Sequence, residues 1–184
     1  MKKKIILLIT MLFLFISLMQ ASEQVTEQPA EKIADFTLED AEGNQVNLYE
    51  TLQKGDAVII DFWATWCMLC CKALPHLNNF HEKYDNVHVI IISEDSKGRM
   101  KKADAYIKSR GYTVTSLFDP TGEVRKLLGA EVLPETFYVK PDGEIFFRHR
   151  GYKKGAEVEM EEKLKEMLET LPKKEIKETT EETN

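Results

Sequence analysis

Two largely apolar stretches lie in the middle of the chain. Ala57–Trp63 and Val87–Ser93 are rich in β-branched and aromatic residues, a composition typical of strands that are buried on both faces. Between them, apolar residues recur at helical spacing over 70–84, which predicts an amphipathic helix. Pro75 is expected to kink that helix, because proline cannot donate a backbone hydrogen bond. The pattern therefore predicts a β-α-β unit around residue 70.

Shorter patterns on either side complete the predicted fold. The predicted helices lie at 99–109, 123–128 and 156–171, and the predicted strands at 36–38, 46–48, 115–118, 136–139 and 144–149. Turn residues between the first two strands, and Lys-Pro-Asp-Gly at 140–143, predict two hairpins. The order of elements predicts an α/β fold in which helices flank a mixed central sheet, with an N-terminal β-hairpin extension.

The two ends of the chain have a different composition. Three lysines, an apolar run over 5–19 and a small residue at Ala21 predict a secretory signal at residues 1–21. Met19 lies where signal cleavage favours a small residue, so an uncleaved membrane anchor stays open. Residues 22–32 are predicted to be a linker, and 172–184, nearly all Lys, Glu and Thr, a disordered tail. The folded domain is therefore expected at 33–171 and outside the cytoplasm.

Composition narrows the choice of partners. A length of 184 residues suits one domain, and 43% hydrophobic with 30% charged residues is typical of a globular protein. The net charge is −6, and the body of the chain has no basic run that could follow a phosphate backbone. We therefore expect a protein that does not bind nucleic acid, and we expect it to be a monomer.

All three cysteines of the chain lie within residues 67–71. Three clustered thiols cannot link distant segments, so a structural disulfide framework is excluded and thiol chemistry is the better interpretation. Cys67 is expected at the start of the predicted helix, where unpaired N–H groups favour a thiolate. Structural zinc normally requires four ligands, and the four histidines have no ligand-type spacing, so no metal site is expected.

The segment Asp61-Phe-Trp-Ala-Thr-Trp-Cys-Met-Leu-Cys70 resembles the active-site segment of the thioredoxin superfamily. Over about 33–171 the chain is similar to the exported TlpA/ResA-like thiol-disulfide oxidoreductases. Leu-Pro-Glu-Thr-Phe at 133–137 resembles the family's cis-proline loop, and 147–151 is similar to the branch that serves cytochrome c maturation. The resemblance implies a thioredoxin fold, no cofactor, a disulfide-containing protein substrate and a membrane thiol-disulfide electron donor.

The resemblance also assigns roles to individual residues. Cys67 would attack the substrate disulfide, Cys70 would resolve the mixed disulfide, and Asp61 would accept the proton of Cys70. The residues expected to bind the substrate are Trp66, Leu133, Pro134 and Glu135. Near Pro134, free backbone groups would pair with an extended substrate peptide.

Three positions depart from the family pattern. Ala73 occupies a place where many members have a glutamate, so the acid function is expected to fall on Asp61 or Glu135. The spacer of Met68 and Leu69 lacks proline and histidine, which favours a reducing pair over a strong oxidant. Cys71 replaces the usual basic residue and is therefore expected to be exposed.

Two other functions stay open as alternatives. Cys67 and Cys71 form a CxxxC pair, which is the spacing of Sco-like copper chaperones on the same general fold, although no convincing histidine ligand accompanies it. A peroxiredoxin would need a threonine three residues before its reactive cysteine. Thr65 lies two residues before Cys67, which argues against a peroxiredoxin.

Overall fold

The structure is a computed structural model that describes residues 30–172. The predicted signal or anchor at 1–21, residues 22–29 of the predicted linker and residues 173–184 of the predicted tail lie outside the described residues. Within 30–172, no helix is both long enough and apolar enough to cross a membrane.

Seven strands form a single sheet in the order β2-β1-β5-β4-β3-β6-β7. In chain order the elements are β1 (Thr37–Glu39), β2 (Gln45–Asn47), α1 (Leu48–Leu52), β3 (Ala57–Trp63), α2 (Met68–Lys83), β4 (Val87–Ser93), a 3-10 helix (Lys97–Arg99), α3 (Met100–Ser109), β5 (Thr115–Phe118), α4 (Glu123–Leu127), β6 (Glu135–Val139), β7 (Ile145–Arg150) and α5 (Ala156–Glu169). Strands β3, β4 and β5 are parallel, and the other strands join them antiparallel. The mixed sheet and the N-terminal hairpin confirm the predicted architecture.

The central strand β3 divides the core into two halves. Its residues Ala57, Ile59 and Trp63 pack with apolar residues of α2, α3 and α5 on one face. The alternate residues pack with α1 and α4 on the other face. Every residue of β3 is buried, which explains why the strand lacks a polar face in the sequence.

Two local features differ from the predictions. Helix α1 was not predicted, because five residues are too few to show helical periodicity; the side chain of Asn47 caps it by accepting a hydrogen bond from Glu50 N. At the end of the predicted linker, Glu31 and Lys32 are paired rather than free. Lys32 forms an isolated antiparallel backbone β-bridge with Glu144, and Glu31 O accepts a hydrogen bond from Ile145 N.

Candidate active site

Cys67 and Cys70 are joined as a disulfide at the start of α2, with their Cα atoms 5.2 Å apart. Strand β3 ends at Trp63, and four residues later Cys67 is the N-cap of α2. Its Sγ accepts a hydrogen bond from Cys70 N at 3.1 Å. The positive end of the helix dipole therefore lies at this sulfur, which favours a thiolate once the disulfide is reduced.

The two sulfur-bearing residues differ in accessibility. Cys67 is 9% exposed, whereas Cys70 is 0% exposed and packs in the core beneath α2. An incoming reactant therefore reaches Cys67 more readily than Cys70. This asymmetry is the one that a nucleophilic and a resolving cysteine require.

The segment between β3 and Cys67 is held by Asp95, a residue that the sequence analysis did not identify. Asp95 Oδ2 accepts a hydrogen bond from Thr65 N at 2.7 Å, and Oδ1 accepts one from the Thr65 hydroxyl at 2.7 Å. Ser93 Oγ also donates to Asp95, which is fully buried. A signal was present in the sequence, because Asp95 follows β4 and the carboxyl ends of parallel strands lie at the same edge of a sheet.

Asp61 lies in the interior of β3 and is fully buried. Residues alternate along a strand, so its side chain lies on the face of Ile59 and Trp63, which α2 covers. Asp61 Oδ1 accepts a hydrogen bond from the Thr136 hydroxyl at 2.7 Å, and Oδ2 has no partner among the described residues. Burial raises the pKa of Asp61 to about 7, and the hydrogen bond from Thr136 opposes the rise only in part.

Glu135 is also fully buried, but its carboxylate has several partners. Oε2 accepts hydrogen bonds from the backbone N–H groups of Glu131 and Val132, and Oε1 accepts from Arg148 and Arg150. Although burial raises its pKa, these hydrogen bonds outweigh that effect and hold the pKa of Glu135 below its ordinary value.

This placement changes the expectation for Glu135 as a substrate-binding or proton-accepting residue. Phe62 is its partner in the β3–β6 register, so Glu135 lies on the face of the sheet opposite to Asp61. All of its bonding capacity is directed at the protein itself. The side chain of Glu135 is therefore unavailable to a substrate or to Cys70, and its contacts assign it a structural role.

The remaining predicted substrate-binding residues lie around Cys67. The peptide bond between Leu133 and Pro134 is cis, and Leu133 packs against the apolar cluster that contains Cys67 and Cys70. Pro134 O accepts a hydrogen bond from Gly151 N at 2.8 Å. Trp66 is an exposed residue next to Cys67. The predicted loop and the disulfide thus both lie toward the edge of the sheet where β3 ends and β6 begins.

Cys71 is partly exposed and has a free thiol. Cys71 N donates to Cys67 O at 3.1 Å, which places the third cysteine in the first turn of α2. Cys71 lies near Tyr106, and burial, reinforced by the neighbouring Cys71, raises the pKa of Tyr106 to about 12. Its partial exposure agrees with the expectation that Cys71 is accessible, and Tyr106 of α3 and Tyr112 after it lie near the thiol.

Residues 30–172 contain no group of three or more His, Cys, Asp and Glu side chains arranged to hold a metal ion. His81 and His88 lie close together, with ring centroids 5.5 Å apart, but they are distant in the fold from the first turn of α2.

A disulfide between the N-cap and the first turn of a helix, behind the central strand of a mixed sheet, is typical of thioredoxin-fold thiol-disulfide oxidoreductases. The crystal structure of a protein designated as thiol:disulfide interchange protein DsbE from Chlorobium tepidum has this fold. It superimposes with a TM-score of 0.69 at 25% identity, covering 77% of this chain and 98% of that chain.

Sequence comparisons specify the class further. ResA thiol-disulfide oxidoreductases are similar to this chain: the one from Bacillus thuringiensis subsp. konkukian is 30% identical over 76% of this chain and 74% of its own length. The one from Oceanobacillus iheyensis is 28% identical over 77% and 74%. The family model described as AhpC/TSA matches residues 29–148. The chain belongs to the AhpC/TSA family and is a thiol-disulfide oxidoreductase of the ResA type.

Proposed function

We propose that this protein is an extracytoplasmic reductase of protein disulfides, in which Cys67 is the nucleophile and Cys70 the resolving thiol. The observation that carries the proposal is the placement of the two sulfurs: Cys67 caps α2 and is the more accessible, whereas Cys70 is buried behind it. The ResA relatives support the reaction type, and the predicted signal at 1–21 supports export.

The reaction balances with two electrons. The thiolate of Cys67 attacks one sulfur of the substrate disulfide; a new S–S bond forms, and the second substrate sulfur leaves as a thiolate. The thiol of Cys70 then transfers its proton to the Asp61 carboxylate and attacks Cys67 Sγ. The first substrate sulfur leaves, and the enzyme keeps the Cys67–Cys70 disulfide. A membrane thiol-disulfide donor supplies the two electrons that reduce this disulfide again.

Asp61 suits the role of proton acceptor for two reasons. Its pKa of about 7 allows it to take up and release a proton near neutral pH. It also lies on the face of the sheet that α2 covers, where Cys70 is buried, and Ala73 leaves α2 without the acid found in many relatives.

Substrate binding is proposed to combine side-chain and backbone contacts around Cys67. Trp66 offers an exposed aromatic surface, and Met68 beside it is 72% exposed. Leu133 and Pro134 form the opposite side of the site, where the backbone of Leu133 suits an extended peptide. Residues 129–136 and 147–151, which include Arg148, are similar to the branch that serves cytochrome c maturation. This similarity supports apocytochromes as substrates.

The decisive test uses the chain without residues 1–21. The reduced protein is expected to reduce insulin with a dithiol as electron source, and Cys67→Ser is expected to abolish turnover. Cys71→Ser is the matched control, since it removes a thiol from the same helical turn, and it is expected to keep most of the activity. Turnover that survives loss of Cys67 contradicts the proposal.

The same variants identify the substrate and test the alternatives. Cys70→Ser cannot resolve the mixed disulfide, so affinity capture of this variant followed by mass spectrometry identifies trapped partners. Tight binding of one Cu(I) that depends on Cys71, together with absent disulfide turnover, would favour the copper chaperone. Rapid peroxide consumption without disulfide turnover would favour a peroxiredoxin.

A further inference from the structure

Residues 129–134 form a loop, here called the proline loop, that runs from the end of α4 to β6. Part of its backbone bonds to side chains that lie outside it, and the rest bonds to backbone groups of α4 and of Gly151. Glu131 N and Val132 N donate to Glu135 Oε2 at 2.7 and 3.2 Å. Gly129 O accepts a hydrogen bond from Arg148, a residue of β7. The conformation of the loop is therefore set from the opposite face of the sheet to the one that carries Asp61.

Arg148 bonds to both Gly129, at the start of the loop, and Glu135, which holds the amides of the loop. Its Nε donates to Glu135 Oε1, and its Nη2 donates to Gly129 O. The guanidinium lies over the ring of Phe137 with its Cζ 4.6 Å from the centroid, and the side chain is only 23% exposed. A planar guanidinium can donate in two directions at fixed geometry, which the single ammonium group of a lysine cannot reproduce.

Arg150 provides a natural comparison with Arg148. Its Nε donates to the same Glu135 Oε1 at 3.0 Å, but its other ion pair is with Glu131 Oε2 at 3.5 Å, and its side chain is 51% exposed. Arg150 therefore contributes charge to Glu135 without holding Gly129. The two arginines thus differ in how they attach to the loop: Arg148 bonds to its backbone at Gly129, whereas Arg150 pairs only with the exposed side chain of Glu131.

We propose that Arg148 is a positioning residue for disulfide substrates: by joining Gly129 to Glu135, it holds the proline loop where Leu133 and Pro134 meet a substrate bound at Cys67. The proposal rests on the proposed reductase function. Cys67 does not depend on Arg148, because Asp95 and the first turn of α2 hold the segment around it. Loss of Arg148 therefore weakens substrate binding and leaves the reactivity of the sulfurs unchanged.

Two substrates distinguish binding by the loop from sulfur reactivity. One is a peptide disulfide with several residues on each side of its cysteine; the other is 2-hydroxyethyl disulfide, which is too small to span Cys67 and the loop. Arg148→Lys is expected to raise KM for the peptide about 10-fold, the value of one charge-assisted hydrogen bond, with kcat little changed. The rate with the small disulfide, and the pH profile of resolution, are expected to equal those of the wild type.

Arg148→Gln and Arg150→Gln are the matched pair for the same measurements. Each variant removes one positive charge beside Glu135, but only Arg148→Gln also breaks the hydrogen bond to Gly129 O. Only Arg148→Gln is therefore expected to raise KM for the peptide to the same extent as Arg148→Lys. Denaturant unfolding of each variant confirms that the fold is retained at the assay temperature. An unchanged KM in Arg148→Lys, an equal loss with both substrates, or an equal effect of Arg150→Gln would each overturn the proposal. A wild-type protein that reduces neither substrate would contradict the proposed function instead.

Discussion

Asp61 and Glu135 are two fully buried carboxylates that lie on adjacent strands, one register position apart and on opposite faces of the sheet. Asp61 has one hydrogen bond, from Thr136, and its pKa is raised to about 7. Glu135 accepts bonds from two backbone N–H groups and two arginines, and its pKa is lowered. Two equally buried carboxylates thus have pKa values that are shifted in opposite directions.

The difference shows that partners decide what a buried acid can do. Desolvation disfavours the charged form of both groups, but only Glu135 has enough donors to compensate for it. A carboxylate that stays ionised can hold a loop in place. A carboxylate with a pKa near the working pH can exchange a proton with a neighbouring thiol. Four predictions test this comparison, in order of decreasing expected effect.

The largest effect is expected for the stability of Asp61→Asn. Because the pKa of Asp61 is raised from 3.8 to about 7 on folding, the folded state binds more protons than the unfolded state between these values, and stability falls as pH rises through that window. Asparagine removes this cost and can still accept the Thr136 hydrogen bond. The free energy of unfolding is expected to rise by about 4 kcal/mol at pH 8 and to be nearly unchanged at pH 4. Denaturant titrations at both pH values measure it, and a variant that is less stable at pH 8 contradicts the assignment.

Glu135→Gln is expected to lower the free energy of unfolding, the opposite of the effect expected for Asp61→Asn. Its lowered pKa means that the ionised group stabilises the fold above about pH 4.5, and that this contribution is lost as pH falls through the folded-state pKa. The variant leaves two arginines without their carboxylate, although both are partly exposed, so a loss of about 2–3 kcal/mol is expected at pH 7. The difference from wild type is expected to shrink in acid. Stability equal to wild type at pH 7 would show that the network is not stabilising.

Asp61→Asn is also expected to slow resolution of the mixed disulfide by about 10- to 100-fold near neutral pH, because it removes the proposed proton acceptor of Cys70. Rapid-quench alkylation after mixing the reduced protein with a disulfide peptide measures this step. Glu94→Gln is a suitable control: burial, with the nearby Asp119, also raises the pKa of Glu94 to about 7, but Glu94 pairs with Arg125 of α4 on the other side of the sheet. Equal slowing in both variants, or no pH dependence from 6 to 9, would exclude Asp61 as the acceptor.

The smallest effect is expected for Thr136→Val. This change removes the one hydrogen bond that lowers the pKa of Asp61 while keeping the shape of the side chain. The inflection in the pH profile of resolution is expected to move upward by about 0.5–1 unit, the value of one hydrogen bond to a carboxylate. A downward shift would show that Thr136 stabilises the protonated acid instead.

Much of the fold was predictable from local patterns. β3, β4 and β5 were predicted with the bounds that the structure has, since apolar β-branched runs indicate buried strands without any long-range information. The placement of Cys67 at the start of α2 was also predictable, because the change from a strand pattern to a helix pattern is visible in the sequence. The five residues of α1 escaped detection, since so short a helix shows no periodicity.

The sequence by itself determined the pair of reactive thiols, their position between a buried strand and a helix, and the presence of acids nearby. Only the tertiary structure decided which of these acids has a raised pKa and which a lowered one. Asp61 and Glu135 look alike in sequence, each in or at an apolar strand, and their difference comes from residues brought together across the fold: Arg148 lies 13 residues from Glu135, and Thr136 lies 75 residues from Asp61. The charge of a buried group depends on donors within hydrogen-bonding distance, and folding, rather than proximity along the chain, supplies them.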